Sequence, residues 1–460
     1  MDKISLTNLV AVIGGQVIAG TAELSIDAVT IDSRQVPSGA LFVAIKGERY
    51  DGHDFIGDAV RKGAAAVVVH EERPIEAGQV TVILVEDTLT ALGDIAAYYR
   101  SRFKIPVIGI TGSNGKTTIK DLLASVLEQQ FAIVKTEGNY NNEIGLPLTL
   151  FKLSRDTQAA VVEMGMRGLG QIRRLAQIAR PTIGIVSNVG LTHLELLGSQ
   201  ENIANAKGEL IESLPADGLA VLNGDDPFVR MMYPKTAART IFYGIDAAEL
   251  DLRAVDIQMT DRGSRFRVQA KDLSFEVTLP VPGRHNILNA LAAMAAALEI
   301  GVTVEGIQKG LAQPQLTGKR LRIYETRGYW IIDDTYNASP SSVTAALDVL
   351  ADMAMGQRKI AVLADMLELG PDSRQIHRGL GEYARKKGID HLYAYGDLGR
   401  EYVEGFGERE GRSGFFNTKA ELITMLQKRI QPGDVVLVKG SRGMKMEEVV
   451  AALSEEEANE

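Results

Sequence analysis

The 460-residue chain contains no cysteine, which excludes disulfides, thiolate metal sites and thiol catalysis. It also lacks an excess of positive charge: 59 acidic against 50 basic residues leave a formal net charge of −9. Nucleic acid is therefore not expected as the main ligand, although an acidic chain can still hold a local basic pocket. The N-terminal stretch MDKISLTNLVAVIGG mixes both signs of charge and has no proper apolar core, so no secretory signal is expected. The most apolar helical stretch, ILNALAAMAAALEIG (287–301), is too short to span a bilayer and carries Asn289 inside it. Low-complexity linkers and short repeats are missing too, and only the terminal SEEEANE reads as a solvated tail. With 45% hydrophobic and 24% charged residues, the expectation is a globular cytoplasmic enzyme of roughly two to four domains.

Three blocks can be read. Residues 1–101 mix short β-like runs, ALFVAI (40–45) and AAAVVV (64–69), with polar turns, and close on a helical segment at 88–103. Residues 102–313 repeat strand, loop and helix, with continuous Val/Ile runs of the kind buried on both faces of a parallel sheet. Within this block, residues 250–279 alternate like antiparallel strands and are expected to form an appended sheet. Residues 314–460 alternate again, as a smaller Rossmann-like α/β domain. The fold class is α/β, and tandem α/β domains imply a cleft that closes between them.

The strongest local signal is VIGITGSNGKTT (107–118), an apolar run entering a Gly-rich loop and then a helix. The usual spacing G-x-x-x-x-G-K-[ST] fails by one glycine, because Ile110 stands five places before Gly115. Gly112 and Gly115 still let backbone N–H groups turn toward an anion, and the following helix adds its positive end. In that arrangement Lys116 reaches the β- and γ-phosphates and Thr117 offers its hydroxyl to Mg²⁺. A phosphate loop needs an acidic metal ligand on a neighbouring strand; Glu163, ending the apolar run AAVVEMG, lies where bound ligands gather in open α/β sheets, and His193 lies just beyond the next strand on the same edge.

Lys207 falls on the apolar face of a helix marked by Ile203, Leu210, Ile211 and Leu214. Three explanations are open for it: its stem snorkels to water, it pairs with a carboxylate such as Glu163, or burial leaves a neutral amine able to do chemistry. Three polar clusters complete the set: GRHNILNA (283–290) at a helix start, TGKRLR (317–322) at the hinge into the third block, and DDTYNASPSS (333–342). Ser339, just before Pro340, also suits a helix N-cap.

With NYNNEIGLP (139–147), LADMLELG (363–370) and KGSRGMKME (439–447), these motifs occur in the order seen in Mur ligases, and the chain resembles that family from about residue 30 to 446. The shortened loop belongs to the same superfamily, which includes folylpolyglutamate synthase. The resemblance implies an ATP-dependent amide ligase joining D-alanyl-D-alanine to UDP-N-acetylmuramoyl-tripeptide, as a cytoplasmic monomer. A different Mur-type or folylpolyglutamate synthase-like ligase is the alternative. The DNPR-like signature of the diaminopimelate- or lysine-adding member is absent from the third block, and LADMLELG stands where the dipeptide-adding member has a similar run, which favours the latter. The implied domains are a UDP-substrate domain (1–101), a central ATP-binding domain (102–313) and a C-terminal domain (314–460) that closes on ATP and binds D-alanyl-D-alanine. ATP phosphates would lie on Thr111, Gly112, Ser113, Asn114, Gly115, Lys116, Thr117 and Thr118. Thr117 and Glu163 would hold one Mg²⁺, and His193 with a carbamylated Lys207 a second. Asn286 and Asn289 would contact adenine or ribose, Arg320 the γ-phosphate, and Asp334 and Asn337 the nucleotide from the closing domain. Arg320 rather than Lys319 aligns with the family arginine. Ser33 and Arg34 would hold the UDP end of the substrate, and Asn139 and Asn142 the muramoyl-peptide.

Overall fold

The Val/Ile runs of the middle block assemble, in the computed structural model, into one nine-stranded sheet. The structure describes residues 1–73, 80–318, 320–408 and 411–454. From one edge the strands are Ile133–Lys135, Ala159–Glu163, Val107–Thr111, Ile183–Val186, Leu219–Asn223, Arg239–Gly244 and Leu252–Thr260, all parallel. Gly263–Ala270 and Leu273–Leu279 extend the same sheet by antiparallel pairing. Residues 250–279 therefore do not make a sheet of their own. Tyr243 and Gly244 pair in parallel with Leu252 and Arg253 and join the two parts. Alternation along a strand reports which face is buried, not which strand lies beside it.

Successive side chains of a strand point to opposite faces, and here each face has its own core. Ala160 and Val162 enter one core with Ile172, Leu175 and Ile203 from two helices. Ala159 and Val161 enter the other, with Ile119 and Leu122 of the helix Lys116–Leu127 and Ile287 and Leu291 of Arg284–Ile300. The apolar stretch at 287–301 is thus core helix, and among the described residues no helix is long and apolar enough to cross a membrane. The chain leaves Val107–Thr111 toward one edge of the sheet and returns on its other side at Ile183–Val186. That reversal opens a crevice outside the carboxyl ends of both strands.

The other blocks also carry mostly parallel sheets. Residues 16–84 supply five strands, with helix Thr88–Ser101 following. That helix ties the first block to the second: buried Arg100 donates from Nε to the Ala179 carbonyl (2.9 Å), and Tyr99 Oη donates to the Leu153 carbonyl (2.6 Å). The third block has six strands in the order 322–326, 329–334, 435–439, 359–364, 391–395 and 413–416, of which only the first pair is antiparallel. The acidic tail from residue 455 lies outside the described residues.

Ile185 is fully buried beneath the crevice, so Ile185→Ala should cost about 2–5 kcal/mol through the cavity it leaves. The single tryptophan, Trp330, lies in the third sheet. Denaturant unfolding followed by circular dichroism should shift to a lower midpoint, while the Trp330 fluorescence transition moves less; equal shifts would show that the two sheets unfold as one unit.

Candidate active site

The loop after Val107–Thr111 reaches the helix Lys116–Leu127 through Gly115, which has φ +84°. Both loop glycines are sterically required. A Cβ on Gly112 would lie 1.8 Å from Ser187 Oγ, and one on Gly115 would lie 2.4 Å from Asn289 Oδ1. The loop is pinned to the adjacent strand end: Ser113 N–H donates to the Asn188 carbonyl (2.9 Å), Asn114 N–H to Asn188 Oδ1 (3.0 Å), and Ser187 Oγ to the Asn114 carbonyl (2.6 Å). Lys116 folds over its own loop, donating to the Gly112 carbonyl (2.7 Å). Burial, then the charge of Arg320, lowers its amine pKa, while Glu163 pulls the other way. The Thr111 hydroxyl faces inward and donates to the Met164 carbonyl (3.0 Å), so only its backbone belongs to the loop surface.

Beside this loop, in a cleft of ≈ 690 Å³, polar groups converge on Thr117. Its Oγ1 donates to Glu163 Oε2 (2.8 Å) and accepts from Arg320 Nη2 (3.1 Å). Glu163 is buried and held on its other oxygen by Asn141 Nδ2 (2.8 Å). Lys207 is buried too, and no carboxylate lies within ion-pair distance of it among the described residues. A pair with Glu163 therefore does not describe it. Burial, then repulsion from Lys116, drives its amine well below the ordinary lysine range. His193 caps a short helix in the left-handed conformation, and its Nδ1–H donates to Glu368 Oε2 (2.6 Å). Burial lowers its pKa, against the pull of Glu368.

The third block forms the opposite wall. Arg320 stacks over Tyr336 at 4.1 Å, and its buried Nε has no hydrogen-bond partner among the described residues. Lys319 lies outside the described residues. Asp334 accepts from Lys439 Nζ (2.5 Å), whose other bond goes to the Asn337 carbonyl (2.9 Å). Asn337 Oδ1 accepts from the Arg442 N–H (3.2 Å). Ser339 is the N-cap of helix Pro340–Asp352, in a capping box with Ser342, and also donates to Asn114 Oδ1 (2.9 Å). Its hydroxyl therefore serves the helix cap and a contact across the cleft together. Asn286 donates to the Pro282 carbonyl (2.7 Å) and accepts from Asn289 (3.1 Å), so the pair lies ordered against Gly115, and Thr118 lines the same cleft.

The residues expected to bind the second substrate lie apart from this cluster. Arg34 is exposed and forks onto Asp32, holding that carboxyl at about 2, and Ser33 accepts from Lys62 through its carbonyl (2.8 Å). Asn142 accepts the Gly145 N–H (2.9 Å) and starts a short helix, while Asn139 uses its carbonyl to accept from the Asn141 N–H (2.8 Å). Of the three asparagines in NYNNEIG, the one that touches Glu163 is Asn141, which motif reading passed over. Glu368 was missed as well. A run of identical residues gives no sign of which one faces the site, and a carboxylate 175 residues from its histidine gives no local signal.

Known proteins resemble this chain along nearly its whole length. Family models match in three pieces: the Mur ligase family catalytic domain over residues 25–100, the Mur ligase middle domain over 110–297, and the Mur ligase glutamate ligase domain over 319–442. The UDP-N-acetylmuramoyl-tripeptide–D-alanyl-D-alanine ligase of Bacillus subtilis is 38% identical over 459 residues, covering 99% of each chain. A MurF crystal structure from Acinetobacter baumannii superposes with a TM-score of 0.90 at 33% identity, over 99% of this chain and 100% of that one. The MurF ligase of Thermotoga maritima, solved in complex with ADP, gives 0.83 at 31% identity over 93% and 96%. With a shared three-part architecture, near-complete coverage and identities above 30%, the chain belongs to the Mur ligase family.

Proposed function

We propose that the chain is the ligase that joins D-alanyl-D-alanine to UDP-N-acetylmuramoyl-tripeptide, converting ATP to ADP and phosphate. The observation that carries the chemistry is the meeting of Glu163 and Arg320 on the hydroxyl of Thr117, at the mouth of a phosphate-type loop. The choice of substrates rests on the full-length likeness to the Bacillus subtilis enzyme of that name. In this reading the tripeptide carboxylate attacks the γ-phosphorus, the bond to the ADP oxygen breaks, and an acyl phosphate results. The dipeptide amine then attacks the acyl carbon, loses a proton, and phosphate leaves as the amide forms.

The residues suit these tasks. Among the described residues buried Arg320 Nε has no partner, as expected of a donor awaiting a phosphate oxygen. The Thr117 hydroxyl and Glu163 carboxylate are hard oxygen donors of the kind Mg²⁺ takes. When bound, such ions would supply charge neutralisation between the reacting anions. Lys116 would hold the migrating phosphoryl group, and Asn286, Asn289, Asp334 and Asn337 would orient the nucleotide. An amine at Lys207 kept neutral by burial is the form that reacts with CO₂. Carbamate formation would release a proton and turn that neutral amine into an anionic oxygen ligand, beside His193, for a second ion.

We assign residues 1–101 to the UDP-muramoyl end of the substrate, through Ser33 and Arg34, and Asn139 and Asn142 to the peptide. Residues 102–313 would bind ATP. Residues 314–460 would close over it and bind D-alanyl-D-alanine, excluding the water that would hydrolyse the acyl phosphate. The enzyme would act as a cytoplasmic monomer.

Three measurements follow from this assignment. ATP-dependent phosphate release, with product mass, should occur only with a UDP-muramoyl tripeptide plus D-alanyl-D-alanine. Comparing tripeptides ending in diaminopimelate and lysine would name the third residue, and turnover with another pair would move the enzyme elsewhere in the family. Lys207→Ala should lose most activity, and a bicarbonate or short-chain carboxylate buffer should partly restore it; a fully active variant would rule out the carbamate. Lys116→Ala should lower turnover by about 10²–10³-fold yet leave UDP-tripeptide affinity, read by calorimetry, nearly unchanged; a matching loss of affinity would contradict the division of labour between domains.

A further inference from the structure

His193 and Glu368 stand in different domains, and both hold left-handed backbone conformations, φ +58° and +63°. Residues other than glycine rarely adopt that conformation, and it persists where the surroundings enforce it. The Glu368 turn is fastened from behind: Met366 N–H donates to His377 Nε2 (3.0 Å), and Leu367 N–H donates to Ser441 Oγ (2.9 Å). His377 is itself fully buried, with Nδ1–H given to the Ser373 carbonyl (2.6 Å). The two turns meet twice, through the 2.6 Å side-chain bond and through the Glu195 N–H, which reaches the Glu368 carbonyl at 3.4 Å. Among the described residues, Glu368 is the one hydrogen-bond partner of the His193 ring.

A histidine that gives Nδ1–H to a carboxylate is fixed in tautomer and ring direction, and presents Nε2 as a ready ligand. We propose that Glu368 is a positioning residue for His193. It orients that ring, and it does so only when the C-terminal domain has closed, so the second metal position is complete only in the closed enzyme. This rests on the reading of His193 as a metal ligand. An incidental pairing of surface charges would not require two residues in the left-handed region, nor a buried histidine bracing the turn that carries one of them.

The test counts Mn²⁺ on the full chain with a non-hydrolysable ATP analogue, by electron paramagnetic resonance, and measures domain closure by small-angle scattering without metal. Wild type should bind two ions and His193→Ala one. Glu368→Ala should keep the first ion and weaken the second about 10–100-fold, whereas Glu368→Gln, whose amide oxygen still accepts from Nδ1–H, should stay within a few-fold of wild type. Metal-free Glu368→Ala should also show a larger radius of gyration. If His193→Ala still binds two ions, the ligand reading fails and this inference falls with it. If His193→Ala loses one ion while Glu368→Ala holds both as tightly as wild type, only the positioning role is overturned. An unchanged radius of gyration overturns its coupling to closure.

Discussion

Anions brought together repel, and the arrangement of this molecule turns on that fact. Two unit charges 4 Å apart repel by about 4 kcal/mol even at an effective dielectric of ~20, and a nucleotide beside a carboxylate involves several. The chain carries a net charge of −9, so positive charge must be concentrated locally. Lys116, Arg320 and Lys439 all line one cleft, and Lys207 lies close enough for its charge to act on His193. The hydroxyl of Thr117, touched by Glu163 and Arg320 together, marks where the central and C-terminal domains act on one point.

Concentrating cations in a buried cleft has its own cost, because burial disfavours the charged form. The structure meets that cost differently at each position. Arg320 stacks on Tyr336, and a guanidinium tolerates such placement better than an ammonium. Lys439 is matched to Asp334. Lys116 lies on a backbone carbonyl. Among the described residues Lys207 has none of these, and burial drives its amine well below the ordinary lysine range.

Polar contacts cross the cleft between the central and C-terminal domains. Asn114 of the phosphate loop bonds Ser339 and Ser341 of the C-terminal domain. Buried Asp121, one turn beyond Thr117, accepts from both the N–H and the hydroxyl of Thr317, at 2.8 and 2.7 Å. The chain entering the third domain is therefore anchored on the phosphate-loop helix three residues before Arg320. Such contacts are weak singly, since each replaces bonds to water.

Much of this was legible in the residues, and for local reasons. The Val/Ile runs had to be buried strands, the Gly-rich turn before Lys116 had to bend its backbone, and Lys207 had to face inward because Ile203 and Leu210 do. Each of those statements depends on neighbours within a few positions. The joining of 250–279 to the central sheet, the selection of Asn141 over Asn139 and Asn142, and the meeting of Glu368 with His193 depend on residues far apart in the chain. Periodicity states which way a side chain points but not what it meets. Sequence alone determined the fold class, the Gly-rich loop and most of the residues gathered around it. Only the tertiary structure decided which groups touch, because hydrogen bonds form over about 3 Å and no spacing along the chain specifies a distance across a cleft.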